Sequence, residues 1–144
     1  MCYLRSYLDS DRSIVLEHFE SEKILRKYLN KGIYSILSKI GCFRNELYVM
    51  IDGCGKIVAE GVIRKKWRHY WIYGVKVRME ERGKGYGQLL TEKLLQIVCE
   101  RNVKSVRLKV DTDNRVALNL YKKKGFVIIG KNKYNHYIME YRYA

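Results

Sequence analysis

A chain of 144 residues with 47% hydrophobic content is long enough for one domain with a proper core and too apolar for a disordered tail. It has no apolar run near the roughly 18 residues that suggest a membrane span, and its start, Met1-Cys2-Tyr3-Leu4-Arg5-Ser6, lacks the basic-then-apolar pattern of a secretory signal. A formal net charge of +14 favours anionic partners by long-range attraction: a phosphorylated small molecule, a nucleic acid, a ribosome or an acidic peptide, unless it serves solubility alone.

Tyr3 to Leu8 reads as a first strand. From Asp11 to about Lys39 the spacing is helical, with Leu25, Leu29, Ile33, Ile36, Leu37 and Ile40 near i, i+4, i+7 intervals. Gly32 interrupts this stretch, which predicts two helices or a kinked one, and Gly41 ends it. Leu47, Val49 and Ile51 alternate with Tyr48 and Met50 in a strand, Asp52-Gly53-Cys54-Gly55 turns it, and Ile57 to Arg64 returns. Lys65-Lys66-Trp67-Arg68-His69 is a basic turn into a third strand, Tyr70 to Arg78.

A basic, glycine-rich segment follows, Met79-Glu80-Glu81-Arg82-Gly83-Lys84-Gly85-Tyr86-Gly87, and leads at once into a helix from Gln88 to Arg101 with Leu90, Leu94, Ile97 and Val98 on one face. Val106, Leu108 and Val110 alternate with Arg107 and Lys109 in a further strand. Asn114 is placed to N-cap the next helix, and Gly125 lies just past its end, where a left-handed residue is favoured. Phe126 to Ile129 and Tyr134 to Tyr143 close the sheet as a hairpin around Gly130 to Lys133. The element order predicts a single α/β domain over residues 1–144, with a mixed, mostly antiparallel central sheet and helices on both faces.

The strand–glycine loop–helix unit has the makings of an anion site. Gly83, Gly85 and Gly87 permit conformations that a side chain would block, so several N–H groups can share one concavity at a helix N-terminus, where the partial positive charge favours phosphate. Arg82 and Lys84 add formal charge, and Tyr86 sits within the loop. The spacing is not that of a Walker loop, and the glycines do not match the dinucleotide fingerprint.

Arg82-x-x-Gly85-x-Gly87 instead resembles the pyrophosphate loop of the GNAT superfamily of acetyl-CoA-dependent N-acetyltransferases, written Arg/Gln-x-x-Gly-x-Gly/Ala. Downstream, Asn114, Ala117, Tyr121, Gly125 and Phe126 match that superfamily's Asn-x-x-Ala-x-x-x-Tyr helix and the Gly-Phe after it. The resemblance covers roughly residues 57–130. It implies acetyl-CoA as cosubstrate, no metal, and direct acetyl transfer to a primary amine: a protein N-terminus, a lysine or a small molecule. It implies that the main chains of Val75 and Val77 pair with the pantetheine arm like an added strand, and that the Val77 N–H polarises the thioester carbonyl. It also implies that Asn114 hydrogen-bonds the cofactor arm and that Tyr121 is the general acid for the departing thiolate.

For the general base, Glu60 is the best-placed carboxylate, between Val58 and Val62, where apolar neighbours would raise its pKa. An outward-facing strand position is the plainer alternative. His69 is a second candidate, more simply an exposed turn residue. Lys122, Lys123 and Lys124 read as a solvated helix end more readily than as phosphate ligands.

Four scattered cysteines, Cys2, Cys42, Cys54 and Cys99, form no Cys-x-x-Cys pair, which predicts reduced thiols, no zinc and a cytoplasmic protein, with Cys99 in the core. A monomer or homodimer without membrane association is expected. The rival reading is a basic module of the same fold that has lost catalysis and contacts nucleic acid or protein.

Overall fold

The computed structural model describes residues 1–11, 13–14 and 43–144. Nearly all of the helical stretch expected from Asp11 to Lys39, and Cys42, lie outside them. The described strands are β1 (Tyr3–Ser6), β2 (Phe43–Ile51), β3 (Ile57–Lys66), β4 (His69–Val77), β5 (Ser105–Asp111), β6 (Val127–Lys131) and β7 (His136–Arg142). Two α-helices join them among the described residues: α1 (Tyr86–Cys99) and α2 (Arg115–Lys123). Boundaries lie within a few residues of those expected from the sequence. The basic turn is tighter, with Trp67-Arg68 alone linking β3 to β4.

The strands form one sheet in the order β1-β2-β3-β4-β5-β7-β6. Every neighbouring pair is antiparallel except β4 and β5, which are parallel. Parallel neighbours need a crossover, and α1 supplies it. The two strands pair only over Tyr70–Ile72, opposite Val106–Leu108. Just beyond, the β3–β4 register slips: Val62 faces Tyr73 but Glu60 faces Lys76, so Gly74 and Val75 together oppose Gly61. Gly74 has φ 59, the left-handed glycine of a β-bulge. A bulge bends its strand, and here β4 parts from β5 at that point, opening a split between two strands that start side by side.

Each sheet face has its own core. On one, Met50, Ala59, Ile63, Ile72, Leu108 and Met139 meet Leu90, Leu94 and Val98 of α1 and Leu118 and Tyr121 of α2. A Cβ on Gly61 would lie 2.8 Å from Leu94 Cδ1, so glycine there lets α1 approach the sheet. On the other face, Leu47, Val49, Ile51, Ile57 and Val62 cluster with Tyr7 and Tyr73. Cys99 does not join the core as expected: it is exposed at the last position of α1. The buried stripe runs through Leu94, Leu95 and Val98, and one further residue turns the helix by about 100°, out of the core.

Candidate active site

Strand polarity determines what the split presents. The Arg78 N–H donates to the Val58 carbonyl at 2.8 Å, so Arg78 points its backbone at β3. Backbone groups alternate along a strand, which turns Val77 the opposite way, into the split, and Val75 with it. Both valines are half-buried. The Val77 carbonyl accepts from Arg82 Nε at 3.2 Å, tying the loop's arginine to the mouth of the split.

From Val77 the chain passes through a 3-10 turn, Met79–Glu81, and the exposed residues Arg82–Gly85 into α1. Gly83 (φ 78) and Gly85 (φ 87) are left-handed, and a Cβ on either would meet nothing within 4 Å. The concavity beside the helix N-terminus is therefore open, and glycine is required there by the backbone rather than by crowding. Gly85 is the N-cap of α1 without a side-chain cap, so the first-turn N–H groups at Tyr86 and Gly87 remain for an outside acceptor.

Gly87 departs from the sequence-based expectation. It is helical, without a positive φ, and a Cβ on it would touch Val77 Cγ2 at 3.6 Å and Leu120 Cδ1 at 3.7 Å, ordinary contacts. Its place matters more than its freedom: β4, α1 and α2 converge there.

Lys84 is less free than its sequence position suggested. It pairs with Glu81 at 2.8 Å, and Lys56 from the β2–β3 turn reaches the other oxygen of the same carboxylate at 2.8 Å. Hydrogen bonds from Lys56 and then Lys84 hold the Glu81 carboxyl down at about 2. Lys56 and Glu81 were not singled out from sequence; they lie 25 residues apart, and only the fold joins them. Gly74 was also missed, although a lone glycine inside a strand is a recognised sign of a bulge.

Asn114 caps α2, its Oδ1 accepting from the Ala117 N–H at 3.1 Å. The cap uses only Oδ1, so capping and a cofactor contact through Nδ2 are compatible. Tyr121 is buried on the α1 and α2 face, edge-on to Phe126 with ring centroids 5.6 Å apart. Burial pushes its phenol up to about 12.

Glu60 is not an outward-facing residue. It is 1% exposed and lies opposite Val49 and Lys76, on the face away from Tyr121. Its setting is less apolar than the sequence suggested, because Lys76 is its direct cross-strand neighbour. Tyr121 and Glu60 thus lie on opposite faces of the sheet. His69 is exposed at the far end of β4 from Val77 and is not brought to the site. Lys124 pairs with Glu92 of α1, while Lys122 and Lys123 are exposed.

The model of the Acetyltransferase (GNAT) family matches residues 14–126. The chain belongs to this family. Mycothiol acetyltransferase of Tsukamurella paurometabola is 42% identical over 55 residues, a match spanning 38% of this chain and 19% of that relative. The ribosomal-protein-S18-alanine N-acetyltransferase of Escherichia coli has a similar structure, with a TM-score of 0.75 and 18% identity over 99% of this chain and 94% of that one. So does the PaiA N-acetyltransferase of Thermoplasma acidophilum in complex with coenzyme A, with a TM-score of 0.75 and 16% identity over 99% of each chain.

Proposed function

We propose that the chain is a single-domain N-acetyltransferase that moves the acetyl group of acetyl-CoA to a primary amine by direct transfer. One observation carries the reading: β4 parts from β5 after Ile72, turns the Val77 N–H into the opening, and leads into an open glycine loop at a helix N-terminus. An amide-containing arm fits the split, and a pyrophosphate fits the loop. Complexes of structural relatives with coenzyme A support that assignment.

Acetyl-CoA supplies an acetyl group already activated as a thioester. The first-turn N–H groups of α1, with Arg82, hold its phosphates, and the main chains of Val75 and Val77 align the arm. The Val77 N–H donates to the reacting carbonyl as negative charge develops there. Asn114 Nδ2 donates to the arm while Oδ1 keeps its cap. Tyr121 stands on the side from which the thiolate departs. A phenol held near 12 keeps its proton against a thiol of ordinary pKa about 8.5, so it acts as a hydrogen-bond donor to the thiolate rather than surrendering its proton outright. Glu60 receives the amine's proton from the opposite face.

The acceptor is a primary amine of small-molecule or protein origin; the S18-alanine N-acetyltransferase among the structural relatives supports a protein N-terminus as one class to test. Thermal unfolding with and without acetyl-CoA tests the cosubstrate. A ligand at 100 times its Kd adds about 2.7 kcal/mol to the native state. No shift at millimolar acetyl-CoA sinks the proposal. Free-thiol release across amines then selects the acceptor.

A further inference from the structure

We propose that the β3–β4 hairpin tip is a second binding surface, for single-stranded nucleic acid, at the opposite end of β4 from the acetyl-CoA loop. Two local rules are broken there together. Trp67, one of the two linking residues, has φ 56, a left-handed conformation usually filled by glycine or asparagine. It gains little packing in return, being 63% exposed. In addition, Lys65 sits directly across from Arg44, a like-charge pair that disfavours the sheet and that the Arg44–Glu46 contact at 3.5 Å offsets only in part. Departures from turn and pairing chemistry without a packing gain mark positions kept for function.

The surroundings say what would bind. Lys66, Arg68 and His69 flank the indole and are exposed, and Lys65 is half-buried beside them. Among the described residues, none of Lys65, Lys66 and Arg68 forms an ion pair. Lys104 is exposed two residues before Val106, whose partner Tyr70 is the second residue of β4, so it adds charge at the same end. Strand β4 runs from His69 to Val77, about 25 Å at the usual rise, so these cations are far from the coenzyme phosphates and do not serve them.

An exposed indole among cations suits unpaired bases, which stack on the ring while phosphates meet the lysines and arginine. Duplex nucleic acid hides its base faces. A membrane or an acidic peptide would use the charge but not the stacking.

The test uses the full chain and a single-stranded RNA of about 12 nucleotides, within the usual site size for such surfaces. Binding is followed by fluorescence anisotropy of labelled RNA at several salt concentrations. Trp67→Gly suits the left-handed turn, so the fold is expected to keep its melting temperature. Its RNA affinity should fall by about 10-fold, the order of one lost base stack, while Trp67→Phe retains most of it. Lys66→Glu with Arg68→Glu should weaken binding and flatten the dependence on salt by about two units of slope. Acetyl-CoA affinity, measured on the same samples, should not move in any variant. Equal RNA affinity of wild type and Trp67→Gly would overturn the proposal. So would tighter binding to a duplex of the same length, to polyglutamate or to anionic vesicles than to the single strand.

Discussion

The two ends of β4 each turn on a residue in the left-handed region, and they fill it in opposite ways. At the C-terminal end, Gly83 and Gly85 take φ 78 and φ 87 with no steric cost, and the chain continues into α1 with its first amides free for a ligand. At the N-terminal end, Trp67 takes φ 56, where a side chain is disfavoured. One end follows turn chemistry and makes a cavity; the other breaks it and makes a protrusion. The contrast teaches that the same backbone conformation marks function in two ways: a concave anion site needs the side chain gone, whereas a stacking platform needs it present. If the ends are independent, variants at one should leave binding at the other unchanged.

The sharpest test of that independence comes from chemistry at the split. Tyr121→Phe keeps the ring against Phe126 and removes only the donor. Loss of one hydrogen-bond donor to a developing charge typically lowers kcat by about 10²–10³-fold, with the lower figure expected here because water can substitute. KM for acetyl-CoA and nucleic-acid affinity should stay put. Wild-type kcat under conditions where chemistry limits the rate would return Tyr121 to a packing role. Gly85→Val comes next. A β-branched residue at φ 87 strains the loop while its Cβ meets nothing within 4 Å, so the protein should fold while coenzyme A affinity drops by roughly 10–100-fold by calorimetry. Unchanged affinity would remove the pyrophosphate from this loop.

Much of the loop end was legible in the sequence because its parts are local. The left-handed conformations of Gly83 and Gly85, the Asn114 cap and the glycine after α2 depend on residues a few positions away. The main chains of Val75 and Val77 stood out through the family resemblance, and those main chains face away from β3. What was not legible depends on partners distant in the chain. The split needs Gly74, Val75 and Gly61 to meet across two strands. The face of Glu60 depends on the β2–β3 register, and the contact of Glu81 with Lys56 spans 25 residues. At the hairpin tip, the sequence showed a basic turn, but only the two-residue link exposes Trp67 in its strained position.

A smaller effect is expected from Glu81. Its carboxyl is held at about 2 against a usual 4.5, so its stabilising contribution is complete above about pH 4.5 and is lost as pH falls through about 2. Glu81→Gln removes the group that titrates. The wild-type melting temperature should therefore fall more steeply than the variant's between pH 4.5 and 2, and the two curves should converge at the acid end. Parallel curves would mean that the Lys56–Glu81–Lys84 cluster contributes nothing to holding the loop.

Asn114 offers the finest test, because one side chain is asked to do two things at the loop end. Its Oδ1 caps α2, and its Nδ2 is assigned to the coenzyme arm. Asn114→Ala removes both, and a lost N-cap alone costs about 1 kcal/mol, so that variant cannot separate them. Asn114→Asp can. Aspartate caps as well as asparagine does and suits the positive end of a helix, so stability should be retained or slightly raised. It has no donor when ionised, and it brings negative charge towards a ligand that is itself anionic. Acetyl-CoA affinity should fall by roughly 3–10-fold, the order of one neutral hydrogen bond, and the repulsive part should shrink with added salt. If stability and affinity both stay at wild-type values, Asn114 is a cap and nothing more. If affinity falls while the melting temperature holds, the amide's second half belongs to the coenzyme site, and the loop end of β4 extends across the split to α2.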